Sequence, residues 1–458
     1  MSGFEVVGHW WLPEDEARKL PGVLTVDAQG ASQLLLIGGA LKEVTDVATW
    51  THSNGESSAA ITEDDLEVAG TYDRILGEAE GGRYTLEGGV QVKYQGAMFG
   101  GAYRQLVHVQ QVFKGVHFDG TGALSANAVF VQPGGLETWV GRSGITGIIN
   151  VKPGEEPRYE LTAESLPVEA AQLADGGKLE LRHRTGRPQQ AGGTWKINEY
   201  FSFGLRYPTV LPMTELIDTV SDLQDLLSIA TGRPAAFETL SFRHPDVYQE
   251  IPDTRPELKE SYPDGRRYTP IQLWAQWTVD PSHEARLLRG NDLLFSLGQL
   301  GGLDGAARWL AVARKHRSTL GRVMATRYST GGYLHDRYMD RLAALEGLDR
   351  DEHNDSVIYV ERIKRCAQNV GQPMQDLVGG RVDKWAKQLK DDRNDMAHHK
   401  GVRLDEQFSE QYFMSESAYW LYVFQLLRLV DAPDAVFDQI VQHQELLHLK
   451  RQLDKILV

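Results

Sequence analysis

At 458 residues the chain is too long for one ordinary hydrophobic core, so we expect two or three domains. Its 41% hydrophobic and 24% charged residues are typical of a soluble globular protein, and no run approaches the roughly 20 apolar residues that cross a bilayer. The net charge of −15 excludes a generic polyanion-binding protein, although one local basic groove could still bind nucleic acid selectively.

The N-terminus and the cysteine content favour a cytoplasmic protein. The stretch MSGFEVVGHWWLPEDE lacks the basic region and apolar core of a secretory signal. Cys366 is the single cysteine, which excludes an intramolecular disulfide and any multi-cysteine zinc site. We therefore expect a cytoplasmic location and no membrane association.

Residues 1–212 are predicted to be β-rich. Short alternating or β-branched runs are separated by turn-forming residues; they include LTVDAQG, LLLIGG, RYTLEGGVQVKYQG, QLVHVQQVFKGVHFDG, ETWVGRSGITGIINV and TWKINEYFSFGLRY. Of the 46 glycines, 31 precede residue 213, as many tight turns would require. These features predict an antiparallel β-sandwich or a distorted barrel.

A mixed segment is predicted for residues 213–284. TELIDTVSDLQDLLSIATG has leucine and isoleucine at helical spacing, so a helix begins near Met213 and ends at Gly232. FETLSF and TPIQLWAQWTV then return to strand-like patterns around a charged, turn-rich loop. The segment is either part of the β-rich region or a separate connector.

Residues 285–458 have helical periodicity. The segments are EARLLRGNDLLFSLGQL, DGAARWLAVARKH, YLHDRYMDRLAALEG, SVIYVERIKRCAQNVG, DLVGGRVDKWAKQLKDDRNDMAHH, SESAYWLYVFQLLRLV and DAVFDQIVQHQELLHLKRQLDKILV. They could supply an antiparallel bundle. The predicted fold class is therefore multidomain α+β, with an N-terminal antiparallel sandwich or barrel followed by an all-α bundle.

The stretch RNDMAHH, residues 393–399, lies near the end of one predicted helix. Apolar residues form one stripe on that helix: Val378, Val382, Trp385, Leu389 and Met396. At 100° per residue Arg393 lies about 40° from Leu389 and borders the stripe, whereas His398 lies about 140° from Arg393. Either the helix loosens around Ala397, or another copy of the chain completes a site here.

RNDMAH resembles the R-x4-6-H motif of the HEPN superfamily, including the polar residue after the arginine. It occurs late in a small bundle, between one long helix and another hydrophobic one, as in that superfamily. GHWWLPEDEARKLPGVLTVDAQGASQLLLIGG, residues 8–39, is similar to the opening of the β-rich region of the Apea-like HEPN group. The resemblance spans most of the chain. It implies a bacterial abortive-infection, anti-phage protein with a sensing or restraining β-rich half and a C-terminal HEPN ribonuclease domain.

The residue types suit RNA cleavage. RNA carries its own nucleophile, the 2′-OH, so the reaction needs a proton-transfer group and a cation rather than a metal or cofactor. His398 can act as general base or acid at neutral pH, and Arg393 matches phosphate oxygens. Asn394 could orient the imidazole or the phosphate, with Asp392 as possible support. His399 also fits the permitted spacing.

The resemblance implies partners as well. Its expected substrate is RNA, foremost tRNA anticodon loops, cut to a 2′,3′-cyclic phosphate and a 5′-OH across a homodimer of HEPN domains. A phage-derived trigger is expected but not identifiable. Residues 306–335 carry six basic and no acidic residues, which indicates an RNA-binding groove or a solvated helix face. The candidate RNA-binding residues are Lys390, Lys400, Arg314, Lys315, Arg317 and Arg322.

Ordinary structure also explains the motif. A helix-terminal arginine near Asp391 and Asp392, followed by histidines that the helix dipole favours, needs no catalysis. The alternative is therefore a non-catalytic ligand-binding or scaffold protein whose bundle only dimerises. HQELLH, residues 443–448, has the wrong spacing for a zinc protease, and no carboxylate pair indicates a glycosidase.

Overall fold

The computed structural model describes residues 3–42, 49–53, 56–60, 70–95, 103–120, 122–151, 156, 158–192, 194–252, 262, 264–279, 289–329, 331–398 and 404–458. The chain forms two compact units. The barrel unit comprises Met1–Val131, Tyr207–Leu216 and Phe237–Pro281; the helical unit comprises Gln132–Arg206, Ile217–Ala236 and Ser282–Val458. Each unit is built from three separate segments of the chain. The predicted boundaries at 212 and 284 were placed where the secondary-structure type changes along the sequence.

Six antiparallel strands of the barrel unit close on themselves. They are β1 (Phe4–Trp11), β2 (Leu20–Val26), β3 (Ser32–Ile37), β6 (Thr71–Ala79), β7 (Gly82–Gln95) and β8 (Arg104–Lys114). Their order is β8-β3-β2-β1-β6-β7, and β7 also pairs with β8, so each strand has a neighbour on both sides. Closure leaves no free edge for unwanted strand pairing. The expectation of a sandwich or distorted barrel is confirmed in its barrel form.

Alternating side chains fill the barrel. Because successive residues of a strand point to opposite faces, the apolar ones share the interior. Each of the six strands contributes to this interior, with Trp10, Leu24, Leu34, Ile75, Tyr84 and Val107 as one example from each. Trp10 lies so close to Gly77 that a Cβ there would be 2.2 Å from its ring, so only glycine fits at that position.

The remaining strands are distributed between the two units. In the barrel unit these are β4 (Thr49–Ser53), β5 (Glu56–Ala60), β17 (Phe237–Arg243), β18 (Tyr248–Glu250), β19 (Arg266–Tyr268) and β20 (Ile271–Ala275). Strand β9 (Ser125–Pro133) begins in the barrel unit, and its last two residues belong to the helical unit. In the helical unit they are β10 (Ile145–Asn150), β11 (Arg158–Ala163), β12 (Glu169–Gln172), β13 (Lys178–Thr185), β14 (Gln189–Ala191) and β15 (Thr194–Lys196). The long strand β16 (Glu199–Pro212) passes from the helical unit into the barrel unit.

The described helices lie mostly in the helical unit. They are α1 (Leu136–Val140), α2 (Met213–Thr231), α3 (Gly302–Lys315), α4 (Arg317–Tyr328), α5 (Leu334–His353), α6 (Tyr359–Val370), α7 (Gln372–Leu377), α8 (Val382–Ala397), α9 (Leu404–Leu429), α10 (Asp434–Gln442) and α11 (Gln444–Ile456). None of these helices combines the length and apolar character needed to span a bilayer. The predicted order of a β-rich region followed by a helical region is confirmed.

Helix α9 is the centre of the bundle. From Met414 to Leu427 every one of its residues is buried, on all sides of the helix. A helix that is buried all round must be surrounded by others, and α9 contacts α3, α5, α6, α7 and α11.

Two predicted elements are wrong. EARLLRGNDLLFSLGQL was expected to be helical, but its described part, residues 289–300, has only a 3-10 turn at Gly290–Asp292. The backbone N–H groups of Leu294 and Leu297 donate instead to the carbonyls of Ala230 and Trp139, at 2.8 and 3.0 Å, so tertiary hydrogen bonds replace helical ones.

The second wrong element is ETWV, which was expected to be part of a strand and forms the short helix α1. Gly135 and Gly141 flank it with φ of 82° and 66°. These left-handed conformations favour glycine, and they begin and end a single helical turn.

A buried ionic cluster joins α5 to α6. The carboxylate of Asp349 accepts hydrogen bonds at 2.8 Å from Arg362 Nη1 and Arg365 Nε. Burial favours the neutral acid, but the two arginines outweigh it and hold the pKa of Asp349 below its ordinary value. Arg362 is itself buried, and Asp349 supplies a counter-charge to its guanidinium.

We expect Asp349→Ala to lower the free energy of unfolding by about 3–5 kcal/mol, because it leaves the Arg362 guanidinium buried without its main counter-charge. Urea titration followed by circular dichroism measures the change. Asp383→Ala is the matched control, since Asp383 is 87% exposed in its pair with Lys364 and its loss should leave the transition in place. Equal shifts for the two variants would contradict the role of the cluster.

Candidate active site

Most of the predicted apolar stripe of helix α8 is buried inside the helical unit. The buried members are Val378, Trp385, Leu389 and Met396. Val382 is half-buried. Trp385 Nε1 donates a 2.9 Å hydrogen bond to Ser417 Oγ on α9. This bond and the buried stripe fix the rotation of α8 about its axis, which leaves Arg393 at the edge of the packed face.

Two neighbouring helices hold the guanidinium of Arg393. Its Nη2 donates to Glu346 Oε2 on α5 at 3.0 Å. Its Cζ lies 4.6 Å from the ring centroid of Tyr359 on α6. The side chain remains 33% exposed. Arg393 is therefore fixed in position by a carboxylate and an aromatic ring, while part of the guanidinium stays open to solvent.

Asp392 is also held by α5. Its carboxylate accepts hydrogen bonds from Tyr338 Oη at 2.9 Å and from Gln388 Nε2 at 2.7 Å. Burial raises the pKa of Asp392, although these two donors act against the rise. Its oxygens are thus engaged in attaching α8 to α5, and its support of catalysis stays a prediction.

Helix α8 ends directly before the candidate histidine. Ala397 is its last residue, and His398 is the exposed C-terminal cap. The backbone N–H of His398 still donates to the carbonyl of Asn394 at 3.0 Å. Asn394 is half-buried, and its side chain makes no hydrogen bond among the described residues. His399 and Lys400 lie outside the described residues.

One chain does not bring Arg393 and His398 together. Because the helical hydrogen bond to His398 is retained, the helix does not loosen before it, and the angle of about 140° between the two positions persists. No hydrogen bond or ion pair joins the two side chains in the described part of the chain. A site that used both side chains would therefore need a second copy of the chain, and that expectation stays a prediction.

Each described candidate for RNA binding is paired with a carboxylate. Four of the contacts are Arg314–Asp175 at 2.7 Å, Lys315–Glu352 at 2.6 Å, Arg317–Asp222 at 2.5 Å and Arg322–Asp340 at 2.7 Å. Lys390 pairs with the adjacent Asp391. Acidic residues from other elements thus neutralise the basic segment. RNA contact by these side chains stays a prediction, and it would require them to exchange partners.

Helix α2 supplies a buried carboxylate next to the basic segment. Asp225 Oδ1 accepts a 2.5 Å hydrogen bond from Tyr328 Oη on α4. Burial raises the pKa of Asp225 to about 8; the Tyr328 hydrogen bond opposes the rise and the neighbouring charge of Asp222 adds to it. Asp225 is therefore protonated in the folded protein over a range in which an unfolded chain would ionise it.

The sequence did not indicate the residues that position Arg393. Glu346 and Tyr359 come from helices 47 and 34 residues earlier in the chain. Glu346 forms an i,i+4 pair with Arg350 that any solvated helix can have. Tyr359 is one of 17 tyrosines and stands in no motif. Only the packing of α5, α6 and α8 reveals their role.

Among the described residues, no group of three or more His, Cys, Asp or Glu side chains is placed to hold a metal ion.

Comparison with known proteins identifies the family of the N-terminal part. Residues 5–297 match the family described as ApeA N-terminal domain 1, which is more than half of the chain. The chain belongs to this ApeA family. The resemblance first indicated by residues 8–39 is thereby confirmed, and ApeA membership indicates an anti-phage defence protein. No curated protein and no solved structure matches the chain. The ApeA match ends before α3, so it does not include the motif on α8.

The raised pKa of Asp225 predicts a pH-dependent stability. From about pH 4 to pH 8 the folded protein holds a proton that the unfolded chain releases, so the free energy of unfolding should fall as pH rises, by at most about 1.4 kcal/mol per pH unit. Asp225→Asn cannot ionise and should lose less stability than the wild type between pH 6 and pH 8, measured by urea unfolding. Asp218→Asn, on the exposed side of the same helix, should keep the wild-type slope. Equal slopes for the wild type and Asp225→Asn would contradict the assignment.

Proposed function

We propose that this ApeA-type protein is a metal-independent endoribonuclease of the HEPN superfamily that acts in abortive anti-phage defence. The observation that carries the proposal is the state of Arg393. Arg393 is clamped by Glu346 and Tyr359 with part of its guanidinium exposed. Arg428 is held in a similar way by Asp434 and Phe437, so the clamp supports the proposal because Arg393 also begins the RNDMAH stretch. Such a clamp lowers the entropy lost when a phosphate binds.

In the proposed reaction the 2′-OH of the RNA attacks the adjacent phosphorus, and the 5′-oxygen of the next nucleotide leaves. His398 accepts the proton of the 2′-OH or protonates the leaving oxygen. Arg393 stabilises the negative charge that develops on the phosphoryl oxygens. Asn394 orients the phosphate or the imidazole. The products are a 2′,3′-cyclic phosphate and a 5′-OH.

We further propose that the active form is a homodimer. On one chain Arg393 and His398 face different sides of α8, so a composite site would combine the arginine of one copy with the histidine of the other. A two-fold axis near the end of α8 would create two such sites at once. The barrel unit then senses a phage-derived trigger or restrains the helical unit, and tRNA anticodon loops are the proposed substrate.

Substitution of the two motif residues tests the activity. We expect wild type, induced in phage-infected cells, to fragment RNA, and His398→Ala to reduce cleavage about 10²–10⁴-fold because a proton-transfer group is lost. Arg393→Ala should reduce it by about 10³-fold or more. Sequencing of fragment ends measures both the rate and the chemistry, and purified protein with total RNA in EDTA tests the independence from metals.

The matched controls are Arg451→Ala and His9→Ala, which remove an exposed arginine and an exposed histidine elsewhere. Both should retain cleavage. If both motif variants cut as well as the controls, or the wild type leaves RNA intact in infected cells, the scaffold alternative is correct. A melting temperature that falls for His398→Ala but not for His9→Ala would identify a structural histidine instead.

Tyr359 provides a test of the positioning of Arg393. We expect Tyr359→Leu to lower the maximal cleavage rate about 10–100-fold, because the guanidinium loses the ring that fixes its plane. Tyr359→Phe keeps the ring and should restore the rate. Single-turnover cleavage at saturating RNA makes the comparison. A similar loss in both variants, or a change confined to the RNA affinity, would contradict the role of the ring.

A further inference from the structure

The barrel unit contains a cavity of about 480 Å³ where strand β8 changes neighbours. On one edge, β8 pairs with β3 as far as Val109 and with β20 from Gln111 onward. Gln110 lies between the two pairings, while β7 runs along the other edge past this point. The cavity thus lies where the sheet is interrupted on one side of a strand, and its volume falls in the range of small-molecule sites.

Half of the twelve residues that line this cavity are serine, glutamine or histidine. Four of them are primary amides: Gln33, Gln110, Gln111 and Gln276. Among the described lining residues none is Asp, Glu, Lys or Arg. Phosphates and carboxylates are usually bound by arginine, lysine or helix N-termini. The lining therefore favours a ligand that is neutral and rich in hydrogen-bond donors and acceptors.

Trp277 gives the cavity an aromatic ring with a fixed plane. Nε1 of Trp277 is buried and has no hydrogen-bond partner among the described residues. Buried indole N–H groups normally have one, because an unpaired donor destabilises the folded state. The ring packs edge-on against Phe237, with centroids 5.2 Å apart, and this contact sets its plane. Because Nε1 is closed to solvent, it is the ring of Trp277 that is available to a ligand in the cavity.

The pairing of β8 with its neighbours places the ring of His108 in the cavity lining and positions the amide of Gln110. His108 stands opposite Gln33 on β3 and opposite Val90 on β7, and all three line the cavity. Gly88 has φ of 67°, and a Cβ there would lie 2.6 Å from Gln110 Oε1. The missing side chain therefore lets the Gln110 amide lie across the strand, so that it need not reorganise fully when a ligand binds.

We infer that this cavity binds an uncharged nucleobase or nucleoside. A primary amide presents one donor and one acceptor in a single plane, which matches the edge of a base. The rings of Trp277 and His108 can stack on the flat face of a base. The inference concerns the barrel unit alone, so it does not depend on ribonuclease activity.

Calorimetric titration of the full chain with adenosine, guanosine, cytidine and uridine tests the inference. At least one nucleoside should bind with a Kd on the order of 0.1 mM. Its 5′-monophosphate should bind no more tightly, because the described lining offers no cation. Trp277→Leu removes the ring on which a base would stack, and it should weaken binding about threefold to tenfold.

Val90→Trp should abolish binding by filling the cavity. Its matched control is Val7→Trp, since Val7 is an exposed valine of β1 that is not among the lining residues; this variant should bind like the wild type. Circular dichroism checks that the variants fold. Absence of binding by all four nucleosides at 10 mM, unchanged affinity in either Trp277→Leu or Val90→Trp, or tighter binding of glucose than of any nucleoside would overturn the inference.

Discussion

The burial of α9 is the constraint on which the helical unit depends. Its middle has no exposed face, so neighbouring elements must enclose it on every side. The hydrogen bond from Trp385 to Ser417 ties the rotation of α8 to this central helix. The position of Arg393 follows from that bond, because a helix locked by its tryptophan carries the residue eight positions later on a fixed side.

Pairing of charges explains why an acidic protein can hold many arginines in its helical unit. Arg362 lies inside the bundle with Asp349, and Arg341 lies inside with Glu416 at 2.7 Å. A buried guanidinium without a carboxylate would cost several kcal/mol. Arg393 differs because its carboxylate partner and its aromatic neighbour leave part of it open. A partly exposed, rigidly held cation is more suitable for binding an anion than a flexible surface lysine.

Sequence periodicity predicted the helices and strands correctly where each element has one regularly buried face. The stripe of α8, the helix from Met213 to Gly232 and the alternating barrel strands could be predicted because amphipathic periodicity reports directly which face is buried. Periodicity failed at residues 289–300, where tertiary hydrogen bonds to Ala230 and Trp139 replace the helical ones. It also failed at ETWV, where two glycines in left-handed conformation impose a helical turn on β-prone residues.

The sequence by itself determined the succession of a β-rich and a helical region, the ApeA family and the motif from Arg393 to His398. These depend on neighbours along the chain, which a sequence displays. Only the tertiary structure decided the closure of the barrel, the interleaved division into two units, the neutralisation of the basic segment and the clamp of Glu346 and Tyr359 around Arg393. Each of these joins residues far apart in the chain, and such contacts depend on how whole elements pack.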